Sequence, residues 1–153
     1  MIAIGSDHAG YDLKKEIIKH LESKGYAVKD VGTNSGGCSV DYPDYAVLVA
    51  QAINSGECEK GILVCGTGIG ISIAANKIPG IRAALCTNTY MARMSVEHNN
   101  ANILALGSRV IGVGTALDIV DVWLEASFAG GKHAKRVEKI TMLEKEYKME
   151  VEF

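Results

Sequence analysis

A cysteine and a glycine-rich stretch form the most distinctive chemical feature of this sequence. Cys65 ends the apolar run GILVC and begins the stretch CGTGIG (residues 65–70). Glycines allow backbone amides to face a bound anion, and such amides at the start of a helix favour the thiolate form of cysteine. Cys65 is therefore a candidate nucleophile or base. The alternative is a buried thiol that only fills space.

The glycines Gly66, Gly68 and Gly70 suggest a nucleotide site at first, but the surrounding residues oppose one. A dinucleotide fingerprint requires Gly or Ala where Ile71 stands, and an acidic residue about twenty positions later, where the sequence has Cys86. The stretch also lacks the Lys-Ser or Lys-Thr pair of a P-loop. The spacing favours a small anion or an oxyanion, and a tight turn between a strand and a helix is the alternative.

Candidate acid and base groups lie at the ends of other predicted elements. Asp7 and His8 follow the first apolar run, and His98 ends a predicted helix beside Asn99. Each could take part in proton transfer or hold a substrate. The alternatives are structural, because Asp7 could cap the first helix and His98 could cap the end of its own.

Cationic side chains near loops could bind a phosphate. Arg109 follows the run ILALG, and the segment GGKHAKR contributes Lys132 and Arg136. Arginine binds phosphate through two parallel hydrogen bonds. Together with the candidate base and amides, these groups predict a site for a small phosphorylated metabolite. The sequence contains no metal-ligand cluster, so we expect the chemistry to need no metal or other cofactor.

Short apolar runs alternate with amphipathic stretches along the whole chain. The predicted strands are Met1–Gly5, Tyr26–Val31, Gly61–Cys65, Arg82–Cys86 and Ile103–Gly107. The predicted helices span about residues 11–24, 43–55, 70–77, 89–98, 115–128 and 133–148. Such alternation predicts an α/β fold with a five-stranded parallel sheet and helices on both faces. Ligands of these folds bind beyond the carboxyl ends of the strands, where Asp7, Cys65 and Arg109 are expected.

Composition narrows the class of protein. The chain has 153 residues, of which 48% are apolar and 22% charged, and this predicts one globular domain over residues 1–153. A net charge of −2 gives no general attraction to nucleic acid or membranes. No apolar run is long enough to span a bilayer, and the first residues lack signal-peptide features. We therefore expect a cytoplasmic protein with reduced cysteines.

Five sequence blocks together resemble one known family. GSDHAGYDLK, DYPDYA, CGTGIGISIAANK, HNNANILALGSRV and GGKHAKRV resemble the ribose-5-phosphate isomerase B family in content and order, across nearly the whole chain. The family also includes galactose-6-phosphate isomerase subunits. The resemblance implies a Rossmann-like fold and a homodimer, possibly paired into a tetramer, with active sites at the subunit interface. It implies cofactor-free interconversion of ribose 5-phosphate and ribulose 5-phosphate through an enediol(ate).

The resemblance also implies roles for individual residues. Cys65 corresponds to the catalytic base, and His98 with Asp7 to the groups that open the sugar ring. The oxyanion is stabilised by the side chain of Thr67 and by loop amides, those of Gly66, Gly68 and Gly70 among them. One branch of the family has a glutamate in place of Ile71, so this chain resembles the cysteine branch.

Binding roles follow from the same resemblance. Asn99 corresponds to a sugar contact, and His8, Arg109 and Arg136 correspond to phosphate ligands, with Arg136 supplied by a partner subunit. Lys132 stands where the family often has arginine, and lysine lacks the bidentate fork. Two alternatives remain at this stage: an isomerase of a hexose 6-phosphate such as allose or galactose 6-phosphate, and a non-catalytic phosphosugar-binding module.

Overall fold

Strands and helices alternate along the chain in the computed structural model, which describes residues 1–148. The strands are β1 (Ile2–Ser6), β2 (Val28–Asp30), β3 (Lys60–Cys65), β4 (Ala83–Leu85) and β5 (Ile103–Gly107). The helices are α1 (Tyr11–Ser23), α2 (Tyr42–Asn54), α3 (Ile69–Ala75), α4 (Thr89–Glu97), α5 (Val113–Glu125) and α6 (Lys132–Glu146). Every predicted element is present, so the α/β prediction is confirmed.

All five strands run parallel in the order β2-β1-β3-β5-β4. Ser6 pairs with Val64 and Cys65 pairs with Gly107, so β1, β3 and β5 finish at nearly the same level. The chain leaves β1 towards β2 and then returns to the other side of β1 to form β3. Such a reversal opens a crevice beyond the carboxyl ends of β1 and β3, where ligands of open α/β sheets bind.

The two faces of the sheet bury different helices, because successive strand residues point to opposite sides. Ile62 and Val64 of β3 join a core formed with α1, α4 and α5. Leu63 and Cys65 join the opposite core, formed with α2 and α3. The Cys65 side chain therefore lies on the face of the sheet that α2 and α3 cover.

Helix α6 differs from the others because it buries one residue, Val137. Ile140, Met142, Leu143 and Tyr147 leave a large part of their apolar surface exposed along it. Other helices of this chain bury four residues or so against the sheet. Helix α6 therefore packs little of its surface against the rest of the described chain.

Helix α5 differs most in extent from its prediction. The sequence pattern placed a helix over 115–128, whereas α5 spans Val113–Glu125. It starts earlier because Gly112 takes the extended conformation of a residue preceding a helix, and it ends earlier because Ala126 is extended. Among the helices of residues 1–148, none combines the length and apolar character needed to cross a membrane.

Candidate active site

The glycine stretch turns sharply from the end of β3 into α3, and it holds the Cys65 thiol in place. The Gly68 amide donates a hydrogen bond to Cys65 Sγ at 3.1 Å. Gly68 has φ +78°, and a Cβ there would lie 2.6 Å from Leu85 Cδ1 and 2.9 Å from the Leu106 carbonyl carbon. Only glycine both adopts this positive φ readily and leaves room for Leu85 and the backbone at Leu106. The hydrogen bond from the Gly68 amide therefore fixes the Cys65 sulfur beside the glycine stretch.

The loop after β5 fastens the glycine stretch from the other side. Ser108 donates its amide to the Cys65 carbonyl and Arg109 donates its amide to the Gly66 carbonyl, both at 2.9 Å. A Cβ on Gly107 would collide with the Thr67 carbonyl oxygen. These contacts fix the two loops against each other and hold Arg109 beside the glycine stretch.

The Arg109 guanidinium lies above Gly66. Its Nη1 is 3.3 Å from the position that a Cβ on Gly66 would occupy, and the side chain is exposed. Thr67 is exposed as well, and its hydroxyl oxygen accepts the Ile69 amide at 3.1 Å. That bond uses a lone pair, so the hydroxyl proton remains free to be donated to a ligand. A cation and a hydroxyl donor therefore lie on the open side of the stretch.

Asp7 and His8 continue the same surface from the end of β1. Asp7 is buried, and its Oδ1 accepts the Gly10 amide at 3.1 Å. The N-cap residue of α1 is Gly10, so the alternative in which Asp7 is the cap is wrong. Asp7 instead holds the amide of the capping residue. His8 Nδ1 accepts the Val40 amide at 3.2 Å. In the neutral ring the proton is then on Nε2, which leaves an N–H donor for a ligand.

Tyr42 is a neighbour that sequence reasoning missed. It starts α2, and its hydroxyl oxygen would be 2.9 Å from a Cβ placed on Gly70. Gly70 therefore has no side chain because the tyrosine ring occupies that space. Tyr42 remains partly exposed, so its ring borders the crevice beside the glycine stretch. The DYPDYA block was the available signal, but nothing in its spacing relates it to Gly70.

A second set of predicted residues gathers around the end of α4 and the start of α6. The His98 and His133 rings stack with centroids 4.1 Å apart and an angle of 10° between their planes. His98 is the C-cap of α4, so the alternative in which this residue caps the end of its own helix is confirmed. Its ring is nevertheless available for the stack on His133. Asn99, Lys132 and Arg136 are exposed nearby in sequence. We call His98, Asn99, Lys132, His133 and Arg136 the amino-end cluster.

The amino-end cluster is electropositive. Partial burial lowers the pKa of His133 below its ordinary value, and electrostatic repulsion from the neighbouring His98, Lys132 and Arg136 side chains lowers it further. A group of like charges is stabilised when an anion binds among them. The cluster is therefore suited to a phosphate.

The residues described first lie near the carboxyl ends of the strands, and we call them the carboxyl-end cluster: Asp7, His8, Cys65, Thr67 and Arg109. The sheet separates this cluster from the amino-end cluster. His98 lies before β5 and Arg109 lies after it. The four residue steps of β5 span about 13 Å. A single chain therefore does not bring Cys65 and Asp7 together with His98, and the predicted site is divided into two halves.

The cavities of the chain agree with a divided site. A cavity of about 500 Å³ lies between α6 and β4, with Asn99, Arg82 and Glu144 in its wall and without Cys65. A crevice of about 400 Å³ runs beside Arg109 and Ser108. Within the carboxyl-end cluster, Cys65 and Asp7 are buried, whereas Thr67 and Arg109 are exposed.

The other cysteines do not resemble Cys65. Burial raises the pKa of Cys86 to about 11, and burial also raises the pKa of Cys58. Both thiols are protonated near neutral pH. Cys38 is exposed in the loop before α2. Within residues 1–148, no group of three or more His, Cys, Asp or Glu side chains could hold a metal ion.

Comparison with known proteins gives consistent results. A family model described as Ribose/Galactose Isomerase matches residues 2–140. Ribose-5-phosphate isomerase B of Escherichia coli K12 is 54% identical over 143 residues, which are 94% of this chain and 95% of that protein.

Solved structures agree with the sequence matches. The structure of Clostridium thermocellum ribose-5-phosphate isomerase B has a TM-score of 0.94 and 65% identity, and the match covers 95% of this chain and 98% of that one. The Mycoplasma genitalium ribose-5-phosphate isomerase B structure with bound ribulose-5-phosphate has a TM-score of 0.91 and 44% identity, over 95% and 96% of the two chains.

Proposed function

We propose that this chain, which belongs to the ribose/galactose isomerase family and is an aldose–ketose isomerase, interconverts ribose 5-phosphate and ribulose 5-phosphate. The observation that carries the proposal is the Cys65 thiol, which accepts an amide hydrogen bond beside the Arg109 guanidinium. A base and an anion-binding cation at one crevice suit a phosphorylated sugar. The names of the Escherichia coli and Mycoplasma genitalium relatives support the five-carbon substrate.

Proton transfer is assigned to Cys65. The thiolate removes a proton from one of the two carbons that exchange oxidation state, C1 or C2, and returns it to the other. The enediolate oxygen gains negative charge during this step, and donors that face it lower the barrier. The loop amides and the Thr67 hydroxyl are the donors in reach of such an oxygen. Each well-placed donor of this kind is worth about 2.7–4 kcal/mol in other enzymes.

Substrate binding is assigned to the cation and the imidazole beside the base. Arg109 can hold two phosphate oxygens, and the Nε2 proton of His8 can be donated to a third. The phosphate then anchors the end of the sugar that does not react. Binding energy at this remote group aligns C1 and C2 with the thiolate.

Ring opening needs a further acid or base, which we assign to His98 acting with Asp7. Because one chain separates them by the length of the sheet, His98 must come from a second subunit. We therefore propose a homodimer in which the amino-end cluster of one subunit faces the carboxyl-end cluster of the other. The exposed apolar residues of α6 support this arrangement, since a partner would cover them.

In this dimer Arg136 completes the phosphate site from the partner subunit, with Lys132 as a weaker neighbour. Asn99 contacts the sugar. The free state of all four cysteines supports a reducing compartment such as the cytoplasm.

An isomerase assay in the presence of EDTA tests the function. Ribose 5-phosphate, allose 6-phosphate and galactose 6-phosphate are compared with the wild-type protein and with Cys65→Ala. We expect turnover of ribose 5-phosphate by the wild type, and a fall in kcat of about 100- to 10,000-fold in Cys65→Ala with binding retained. Cys58→Ala is the matched control, because it removes another buried thiol from the same core and leaves the proposed base intact.

Other outcomes separate the alternatives. Turnover of a hexose phosphate alone would keep the mechanism and replace the substrate, an outcome that the galactose in the family description makes worth measuring. A folded protein that binds sugar phosphates without turnover would be a binding module. An active Cys65→Ala variant would remove Cys65 from the role of base.

A further inference from the structure

Lys14 is a fully buried lysine outside both clusters. Its side chain has no exposed surface, and its ammonium group forms two short contacts, with Asp30 Oδ1 at 2.6 Å and with the Thr33 carbonyl oxygen at 2.7 Å. Burial of a charge is costly unless the charge is paired. Lysine is almost never completely buried without such partners. The site of Lys14 therefore needs a specific reason.

The two contacts join α1 to the segment that follows β2. Thr33 donates its amide to the Ser6 carbonyl, and Ser6 donates its amide to the Gly32 carbonyl, both at 2.8 Å. Asp30 also accepts the Gly32 amide at 2.9 Å. Lys14 thus holds residues 30–33 against the last residue of β1. Asp7 and His8 follow that residue directly.

The same segment continues to the His8 imidazole. After Thr33 the chain passes Gly36, where a Cβ would lie 3.2 Å from the Tyr11 ring. It then reaches Val40, whose amide hydrogen bonds to His8 Nδ1. Lys14 fixes the beginning of this loop, and His8 receives its end. Residues 34–39 are exposed, so the loop has few buried contacts of its own between these two ends.

We infer that Lys14 is a positioning residue for His8. By fixing residues 30–33, Lys14 places the Val40 amide opposite Nδ1, and that bond keeps the imidazole proton on Nε2. The inference rests on the proposed function in one respect, because the Nε2 proton is assigned to the substrate phosphate. The effect on the His8 tautomer does not depend on that assignment.

The test compares Lys14→Met with the wild type in two measurements. The first is ¹⁵N NMR of His8 in the uniformly labelled protein, which distinguishes an Nε2–H ring from an Nδ1–H ring. The second is steady-state kinetics with ribose 5-phosphate. We expect the His8 signals to move towards a mixture of tautomers. We also expect KM to rise about tenfold while kcat stays within about threefold, as loss of ground-state binding predicts.

Two further variants sharpen the test. Lys19→Met removes an exposed lysine from the same helix and should change neither measurement. Asp30→Asn weakens the Lys14 contact from its exposed partner, and should shift the same signals by a smaller amount. Asp30→Asn also provides a result if Lys14→Met does not fold.

The outcomes separate this inference from the proposed function. Unchanged His8 nitrogen signals in Lys14→Met, or in Asp30→Asn if the first variant is unfolded, would overturn the positioning role even if thermal stability fell. Altered His8 signals in a protein without isomerase activity would support Lys14 as a positioning residue and refute the proposed function.

Discussion

The carboxyl-end cluster and the amino-end cluster lie at opposite ends of one sheet and are held by different kinds of structure. Cys65 ends a strand that is buried on both faces, and hydrogen bonds from Gly68 and Ser108 fix its thiol and its carbonyl. His98 and His133 lie on helix ends and are held by stacking on each other. One half of the site is rigid within the chain, whereas the other is presented on its surface.

This difference matches the two tasks in the proposed mechanism. Proton transfer requires a base and donors fixed within a fraction of an ångström, and a buried sheet edge provides such rigidity. Phosphate binding and ring opening tolerate longer side chains that approach from outside. In the proposed dimer the partner subunit is therefore part of the catalytic machinery, because neither cluster contains all the groups that the proposed reaction needs.

The largest expected effect is the return of isomerase activity when two variants, each damaged in one of the two clusters, are mixed. Cys65→Ala damages one cluster, and the double variant His98→Ala/Arg136→Ala damages the other. Neither variant alone should keep more than about 1% of wild-type activity. In a randomly mixed dimer population half the molecules carry one of each subunit, and each of these has one intact site of two, so about a quarter of wild-type activity should return.

The recovery is measured after the two proteins are unfolded together and refolded, with each variant refolded alone as the control. Absence of recovery from dimers that contain both subunits would contradict a shared site. Each site would then have to be assembled within one chain, against the separation that β5 imposes.

Gly68→Ala tests whether the carboxyl-end cluster is as rigid as the comparison of the two clusters requires. A methyl group there would meet Leu85 and the backbone near Leu106, at a φ that alanine avoids. We expect the free energy of unfolding to fall by about 2–5 kcal/mol, and isomerase activity to be lost with it. Gly114→Ala is the matched control, because nothing lies within 4 Å of its added methyl group. It lies in α5 and should stabilise the protein by about 0.5–1 kcal/mol.

Chemical denaturation of both variants provides the measurement. A Gly68→Ala protein as stable and active as the wild type would show that the glycine stretch adapts to its neighbours. The rigid character assigned to the carboxyl-end cluster would then be wrong.

The sequence predicted the fold well because the signals for it are local. Apolar runs such as GILVC identify buried strands, and glycines at the ends of helices mark where they stop. Strand order was not predictable in this way, since it depends on which runs pair in space. The boundaries of α5 were also missed, because a glycine at 114 inside the first turn and the extended Ala126 leave the periodicity unchanged.

The candidate site was predicted in part for the same reason. Cys65 and Arg109 follow strands, and parallel strands bring such residues to one end of the sheet. The stack of His98 on His133 depends on where α6 returns, and no local pattern specifies that position. Lys14 offered a signal that went unused. It lies three residues before Ile17 and seven before Leu21, so the helical period already placed it on the buried face.

The smallest expected effect concerns the charge of the amino-end cluster. The pKa of His133 lies below its ordinary value because of partial burial and electrostatic repulsion from the neighbouring His98, Lys132 and Arg136 side chains. A phosphate bound there would stabilise the protonated ring, so its pKa should rise on binding. Binding and protonation are reciprocal, so phosphate should also bind more tightly as the pH falls through the range where His133 titrates.

NMR titration of the histidine ring protons, with and without inorganic phosphate, measures this shift. His20 is the internal control, because its Nε2 is paired with Asp121 at 2.7 Å between α1 and α5, away from both clusters, and its ring-proton signals should not respond to phosphate. A His133 curve that is equally insensitive to phosphate would remove this cluster from the phosphate site.

Because the cluster acts from the partner subunit in the proposed dimer, the shift should also diminish in a variant of the opposite half, Arg109→Ala. A shift that survives Arg109→Ala unchanged would mean that the amino-end cluster binds phosphate by itself, without the carboxyl-end cluster.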